Sequence, residues 1–420
     1  MTKASGFLFC GGGTGGHVLP GLAVAQALRD RGEQTFRWIG DPGRIEATLV
    51  PAANITLLPW GLSRPRPFDP RWVARAVMLA WRCFCELHAR PPRVVVALGG
   101  YAALLPGLIA PFTRRPLVVM EQNAHAGRTN RLLARFADAV VTQFPEARRQ
   151  LPGHKVARLG NPVRCIRHLP RGGKPTFTVL VAGGSLAAKS LNDLVALAAG
   201  KLRDLPGLHI IHLAGEQDKE RIAAIYQSTG IAAEVHGFWA DMPGLYDRVD
   251  LAVTRAGATT VAELCAAGIP ALYVPLPWAA EDHQTANAQA VARVGGTVVL
   301  NQATATPGLV ARWILRLAAD RALVERMGNA AHRLARPQAA DQVAQLVEGL
   351  DRRLLRVNRG TDKARARKII GSTCDVRRAT LPGGPTIIPA RVPMDISSTV
   401  PTPIMETSHV ARRTSHRGHP

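Results

Sequence analysis

Acidic residues are scarce in this chain. Thirty Asp and Glu stand against 53 Lys and Arg in 420 residues, a formal net charge of +23 at pH 7. A surface that basic draws anions (nucleic acid, anionic lipid, phosphate-bearing substrates), and charge alone does not choose among them. Paired cysteines are also missing. Cys10, Cys83, Cys85, Cys165, Cys265 and Cys374 form no Cys-x-x-Cys unit and no metal-ligand spacing. With no secretory leader to be read at the start, reduced thiols in a cytosolic protein are expected. Long apolar runs are rare. The uncharged stretch Val94 to Thr113 has membrane-spanning length, but Gly99, Gly100, Pro106, Gly107 and Pro111 break it into strand, turn and short helix. No Asp-x-Asp metal signature stands at a strand end. Beyond residue 350 aromatics thin out. The last 70 residues hold 14 Lys and Arg against 5 Asp and Glu, and Pro382 to Pro403 is rich in Pro, Thr, Ser and Gly. A disordered tail over 351–420 is expected.

Glycine is plentiful, and its first cluster organises the chain. Phe7-Leu8-Phe9-Cys10 runs into Gly11-Gly12-Gly13-Thr14-Gly15-Gly16-His17-Val18, and Leu19, Leu22, Ala23, Ala27 and Leu28 follow at helical spacing. This is a strand, a glycine turn and a helix N-terminus, whose unpaired N–H groups attract a phosphate. Gly11, Gly13 and Gly16 match G-x-G-x-x-G, which raises a dinucleotide oxidoreductase with Asp41 as its ribose-binding acid. Asp41 precedes Pro42-Gly43, however, which also suits a plain turn.

Further apolar strands end in polar clusters: Val94–Leu98 before Gly99-Gly100-Tyr101, Pro116–Met120 before Glu121-Gln122-Asn123, then Ala139–Thr142. A linker-like stretch from Gly160 to Pro175 follows, and the pattern restarts with Phe177–Ala182 before Gly183-Gly184-Ser185. Strands alternating with helices imply parallel sheets covered on both faces, with ligands at the carboxyl ends. Two doubly wound α/β units facing a cleft are expected. Within the first unit lies an unusual helical stretch in which Trp72, Leu79, Trp81 and Phe84 share a broad face rimmed by Arg64, Arg66, Arg71, Arg75 and Arg82. That composition suits a membrane surface; an ordinary core-facing amphipathic helix is the alternative.

Seven motifs stand in a fixed order: Gly12–Val18, Leu98–Tyr101, Glu121–Asn123, Gly160–Arg164, Gly183–Ser185, Arg255–Glu263 and Asp282–Asn287. Over about residues 5–348 the series resembles glycosyltransferase family 28, and within it the N-acetylglucosaminyltransferases of peptidoglycan lipid-intermediate synthesis. The resemblance implies a GT-B fold: an acceptor- and membrane-facing domain over 1–164, a UDP-sugar domain over 165–328, and a helix over 329–350 returning to the first domain. It implies an inverting transfer, without a cofactor, from UDP-N-acetylglucosamine to the C4 hydroxyl of undecaprenyl-pyrophosphoryl-N-acetylmuramyl-pentapeptide (lipid I), giving lipid II. It further implies a peripheral location on the cytoplasmic face of the plasma membrane and contact with anionic lipid and with other cell-wall and division proteins; no nucleic-acid partner is expected, because basic-aromatic platforms are lacking outside the one helix. A relative with another lipid or natural-product acceptor is the nearest rival.

Carried over residue by residue, the resemblance puts Thr14, Gly15 and Gly16 near the donor phosphate and sugar. Asn123 and Gln284 match sugar contacts, Arg164 a nucleotide contact, Ser185 a phosphate contact, Glu263 the ribose ligand, and Ala258 and Trp239 donor contacts made partly through backbone. Each has a plainer reading: Asn123 as a helix cap, Arg164 as a solvated linker residue, Ser185 as an N-cap, and Glu263 as the end of a Thr260–Glu263 capping box. His17 is the candidate general base, since imidazole suits that task near neutral pH; ordering the glycine turn or binding acceptor phosphate are its other readings. Glu121 is the alternative base. Two positions depart from the family pattern, Ala187 where Gly is expected and Trp239 where an aliphatic residue is expected.

Overall fold

The computed structural model describes residues 6–358 except 63–68, 153–154, 165, 171–174, 185–187 and 278–279, and describes Ala280 and residues 353–358 by backbone alone. Ser185, Ala187, Arg64, Arg66 and the tail beyond 358 therefore lie outside the described residues.

Two parallel sheets form the frame. The first takes β1 (Phe7–Cys10), β2 (Phe36–Ile39), β3 (Thr56–Leu58), β4 (Val94–Ala97), β5 (Leu117–Glu121), β6 (Ala139–Thr142) and β7 (Val156–Ala157) in the order β3-β2-β1-β4-β5-β6-β7. The second takes β8 (Phe177–Ala182), β9 (Leu208–Leu213), β10 (Ala233–His236), β11 (Leu251–Thr254), β12 (Ala271–Tyr273) and β13 (Thr297–Val299) in the order β10-β9-β8-β11-β12-β13. In each, the strand order reverses beside the first strand, between β1 and β4 and between β8 and β11, where parallel sheets open a crevice for ligands. The central strands are mostly apolar because both faces are covered; all of β1 is fully buried.

In the first lobe the helices are α1 (Gly15–Asp30), α2 (Glu46–Ala52), α3 (Pro70–Ala89), α4 (Leu104–Phe112), α5 (Arg128–Leu133) and α6 (Pro145–Arg148). The second lobe adds α7 (Lys189–Ala196), α8 (Lys219–Thr229), α9 (Met242–Tyr246), α10 (Ala258–Ala267), α11 (His283–Ala292), α12 (Pro307–Ala319) and α13 (Arg321–His332), and α14 (Ala339–Asn358) closes the described chain. Val343, Ala344, Val347 and Leu350 of α14 join the core of Phe7, Phe9, Val24 and Leu28 under the first sheet. The far end of α14 is pinned by Asp351, which accepts from Arg93 Nε at 2.9 Å.

Two expectations about this segment change. The helix expected over 329–350 is two helices, broken between His332 and Ala339. Pro337 lies in the break; it lacks an N–H and disfavours a helical residue before it. The second helix also runs on to Asn358, so the first eight residues of the expected disordered tail are helical.

Helix α3 divides its apolar residues sharply. Asp69 caps it by accepting from Arg71 N–H at 3.0 Å. Leu79, Cys83 and Leu87 face the core, whereas Trp81 is 66% exposed and stacks on Phe84 at 5.9 Å, beside exposed Val77 and Met78. Leu79, expected among the membrane-facing residues, is a core residue at 3% exposure. It sits two positions from Trp81, about 200° round a helix of 3.6 residues per turn. Trp72 is half-buried. Neighbouring α4 ends on Phe112, which is 81% exposed. Among the described residues no helix is long and apolar enough to cross a membrane.

Candidate active site

The two lobes meet where their first-crevice helices begin. Helix α1 of the first lobe contacts α10 of the second. A side chain placed on Gly16 would come within 3.9 Å of Thr259 Oγ1. Two helix N-termini thus look into one cleft, and each brings partial positive charge.

On the α1 side, the turn is folded before the helix starts. Gly13 has φ +90°, a conformation glycine supplies without strain. No described group accepts from the N–H groups of Thr14, Gly15 and Gly16, which remain available to an anion. The Gly13 N–H is not: it donates to both oxygens of Glu46, at 3.1 and 3.0 Å. His17 rests half-buried on this turn. Its Nδ1 is 3.1 Å from Gly12 O and 3.4 Å from Thr14 Oγ1. A carbonyl only accepts, so Nδ1 carries the proton and Nε2 keeps its lone pair. Burial pulls the imidazole down to about pKa 4, against the Gly12 bond, which favours the cation; His283 across the cleft adds a smaller downward push. The ring is therefore neutral near pH 7, in the tautomer a base requires.

Glu121 is placed differently. It is 2% exposed, and each oxygen has two donors. Oε1 takes Asn123 N–H at 2.9 Å and Asn123 Nδ2 at 3.2 Å; Oε2 takes Gly127 N–H at 3.0 Å and Asn130 Nδ2 at 2.9 Å. Its lone pairs are spent on holding the loop after β5, so it has none to offer an acceptor hydroxyl. Burial pushes its pKa up, opposed by those same donors. Asn123 extends the arrangement across the cleft: its Oδ1 accepts from Asn287 Nδ2 at 3.1 Å, while Asn287 Oδ1 accepts from Ala124 N–H at 2.8 Å. Asn287 is fully buried, and Asn123 caps no helix, since the residue before α5 is Gly127.

The second lobe carries a cavity of about 850 Å³ at the carboxyl ends of its strands. Arg164, Trp239 and Glu263 line it; Lys189, Asn192 and Phe238 line it too and carried no signal beyond ordinary polar or aromatic positions. Arg164 donates to Ala240 O at 3.1 Å, which ties the interlobe linker to the cavity wall. Trp239 is fixed by Nε1–H to Asp241 O at 3.1 Å, by His236 edge-on at 4.6 Å, and by Arg248 over its ring at 5.8 Å. Glu263 is buried and accepts from Tyr246 O–H at 2.8 Å; burial pushes its carboxyl up. The capping-box reading of Glu263 fails, because α10 starts at Ala258 after Gly257 and leaves Glu263 in mid-helix. Ala258 is the first residue of α10, so its backbone N–H is among the unpaired ones at the cleft. Gln284, in the first turn of α11, accepts from Leu276 N–H at 3.0 Å and lies outside the cavity lining. Asp41 Oδ1 accepts from Gly43 N–H at 2.9 Å, the turn role rather than a ribose ligand's.

Comparisons with known proteins agree with this geometry. The glycosyltransferase family 28 N-terminal domain matches residues 7–142 and the family's C-terminal domain matches residues 178–343. A UDP-N-acetylglucosamine–N-acetylmuramyl-(pentapeptide) pyrophosphoryl-undecaprenol N-acetylglucosamine transferase of Alkalilimnicola ehrlichii is 41% identical over 351 residues, covering 81% of this chain and 97% of its own. The Bordetella parapertussis protein of the same name is 39% identical, covering 84% of this chain and 99% of its own. The crystal structure of Acinetobacter baumannii MurG superposes with a TM-score of 0.70 at 32% identity, covering 82% of this chain and 99% of that one. A kitacinnamycin glycotransferase, at TM-score 0.62 and 17% identity, shares the fold. Two Rossmann-like parallel sheets in this arrangement make the GT-B fold, and the chain belongs to glycosyltransferase family 28, carrying both of its domains in order.

Proposed function

We propose that this chain transfers N-acetylglucosamine from UDP-N-acetylglucosamine to the muramyl C4 hydroxyl of lipid I, forming lipid II with inversion at the anomeric carbon. The observation that carries the reading is the neutral His17, with Nε2 free, on a turn that faces the start of α10. UDP-sugar occupies the second-lobe cavity, its ribose on Glu263, its nucleobase against Trp239 and Arg164, and its sugar near Asn123 and Gln284. The acceptor hydroxyl attacks the anomeric carbon as the bond to the diphosphate breaks. Its proton passes to His17 Nε2, and the electron pair of the broken bond leaves with UDP. The developing diphosphate charge meets unpaired N–H groups at helix starts; one helix terminus contributes roughly 0.3–2 kcal/mol and a well-aimed donor about 2.7–4 kcal/mol, so several act together. Exposed Trp81, Phe84 and Phe112 beside Arg71, Arg75 and Arg82 suit the anionic cytoplasmic face of a membrane carrying a lipid-linked acceptor.

The test is transfer of labelled N-acetylglucosamine to a lipid I analogue, repeated with Glu263→Gln and Gln284→Ala. Labelled lipid that falls at least tenfold in both variants supports the reading. Donor binding with no transfer to that acceptor would redirect it to another acceptor hydroxyl.

A further inference from the structure

The peptide unit between Gly12 and Gly13 is gripped at both ends. Its carbonyl oxygen takes the proton on His17 Nδ1 at 3.1 Å, and its N–H donates to both oxygens of Glu46 at 3.1 and 3.0 Å. Glu46 is fully buried at the start of α2, and its Oε1 also accepts from Asp41 N–H at 3.0 Å. Among the described residues no cation pairs with it. All its bonds come from N–H groups, which suits a carboxylate acting as acceptor only. The side chain has no room to move. A Cβ on Gly12 would fall inside the carboxylate, and one on Gly40 would come within 2.8 Å of Glu46 Cγ.

Burying a charge with no cation beside it costs several kcal/mol. The two N–H groups of Gly13 and Asp41 could be satisfied by a neutral amide oxygen at a smaller desolvation cost. Holding the turn therefore does not by itself call for a carboxylate. What the charge adds is polarisation. Drawing on the N–H makes the carbonyl of the same peptide a stronger acceptor, and hydrogen bonds in such a chain strengthen one another by about 10–30% each. The group at the far end of that carbonyl is the imidazole.

We propose that Glu46, the Gly12–Gly13 peptide and His17 form a relay in which the carboxylate, acting through one peptide unit, fixes the imidazole tautomer and stabilises its cation. Glu46 is a positioning residue, since it touches no substrate. No proton crosses the peptide: the acceptor hydroxyl proton ends on Nε2, Nδ1 keeps its own, and the Glu46 oxygens remain acceptors. The catalytic part of this assignment rests on the transferase reading above; the coupling of Glu46 to His17 does not. His283, at the start of α11, is the titratable side chain facing His17 from the other lobe, and Thr14 Oγ1 is the nearest hydroxyl.

The experiment is ring-labelled NMR of His17 in the full chain, with turnover measured alongside. In Glu46→Gln the His17 titration midpoint should drop by about half a unit or more, a roughly threefold loss of proton affinity. Turnover should fall on the order of tenfold, part of the 10²–10⁴ a general base supplies, with the KM for UDP-N-acetylglucosamine unchanged. In a His17→Ala background the same substitution should cost nothing further. An unmoved midpoint, or an equal loss of turnover in the His17→Ala background, overturns the relay. Should Glu46→Gln not fold, the wild-type chain still decides: the Gly13 amide proton should shift as His17 titrates, and a silent Gly13 overturns the proposal. If no variant transfers sugar while midpoint and Gly13 respond as stated, the transferase reading fails and the relay stands.

Discussion

Replacing Glu121 separates a scaffold from a base. Its carboxylate answers four donors: the N–H groups of Asn123 and Gly127, and the side-chain amides of Asn123 and Asn130. Alanine would leave all four without their acceptor. A hydrogen bond to a charged group contributes about 1.5–3 kcal/mol, and an orphaned buried donor costs about 1–3 kcal/mol. These losses do not add fully, because water enters the gap and the buried charge itself is relieved. Taken together, the expected loss is about 3–5 kcal/mol, roughly two such bonds' worth. In a lobe of this size 1 kcal/mol moves the midpoint by roughly 2–4 °C, so Glu121→Ala should melt about 10 °C lower. Glutamine should be intermediate, since its NH₂ replaces one oxygen and faces two of the four donors. The loop so loosened carries Asn123, which reaches Asn287 across the cleft, so the KM for donor should rise along with the loss of stability. The assay is thermal unfolding together with turnover measured well below the melting point. A Glu121→Ala protein that melts like the wild type yet loses turnover a hundredfold or more, with unchanged donor KM, would refute the scaffold argument and return Glu121 to the role of base.

Leu79→Ser should destabilise the first lobe by about 2–5 kcal/mol as a core truncation, whereas Trp81→Ser with Phe84→Ser should leave the melt nearly unchanged and reduce sedimentation with anionic vesicles. Gly99→Ala should slow turnover tenfold or more without weakening UDP binding, because Gly99 sits at φ +100° and its new methyl would come 3.2 Å from His17 Nε2. Asn287→Ala removes donors to Asn123 and Ala256 O and the acceptor of Ala124 N–H, so donor KM should rise severalfold with stability lowered by about 1–3 kcal/mol, read by kinetics and melting. His212 is buried between Tyr226 O–H at 2.9 Å and Asn192 Oδ1 at 3.1 Å, and burial lowers it to about pKa 4. The unfolded chain then binds the extra proton first, so stability should fall as pH drops from about 6.5 towards 4, by roughly 2–4 kcal/mol in all; melts of His212→Gln should lose that part of the slope.

The parts of this molecule that the sequence makes legible are those in which a local pattern and its physical cause coincide. An apolar run followed by glycines reads as strand and turn because both sheet faces are covered and the turn needs φ values that glycine supplies; the same logic finds the restart at Phe177. Which side a residue of α3 faces is less legible. Leu79 and Trp81 are equally apolar, and only the packing of α3 on the sheet decides that one is core and the other exposed. The break before α14 was readable in principle from Pro337 but lies under a continuous helical periodicity.

Glu46 and Asn287, which sequence reasoning passed over, share one property: each is bonded at long range to a motif read from local pattern. Glu46 follows the glycine turn by 33 residues and looks like an ordinary acidic residue in a helix's first turn, where it would be expected to favour the helix dipole. Its carboxylate turns instead to the ends of β1 and β2 and takes the Gly13 N–H that the glycine-turn reading leaves for a phosphate. Asn287 lies at the edge of a quoted motif, yet its partners, Asn123 and Ala124, are 164 and 163 residues away in the other lobe. A buried amide can donate twice and accept on one oxygen, and here those capacities are divided between the lobes. The helix starts were legible as anion sites, but only the fold makes two of them, α1 and α10, face each other. Under the proposed transfer a division of labour follows from that facing: the first lobe supplies the imidazole base, the second-lobe cavity takes the UDP-sugar, and the half-buried Asn123–Asn287 contact ties the two lobes together. A substitution at that contact should therefore disturb the alignment of base and donor rather than the chemistry of either.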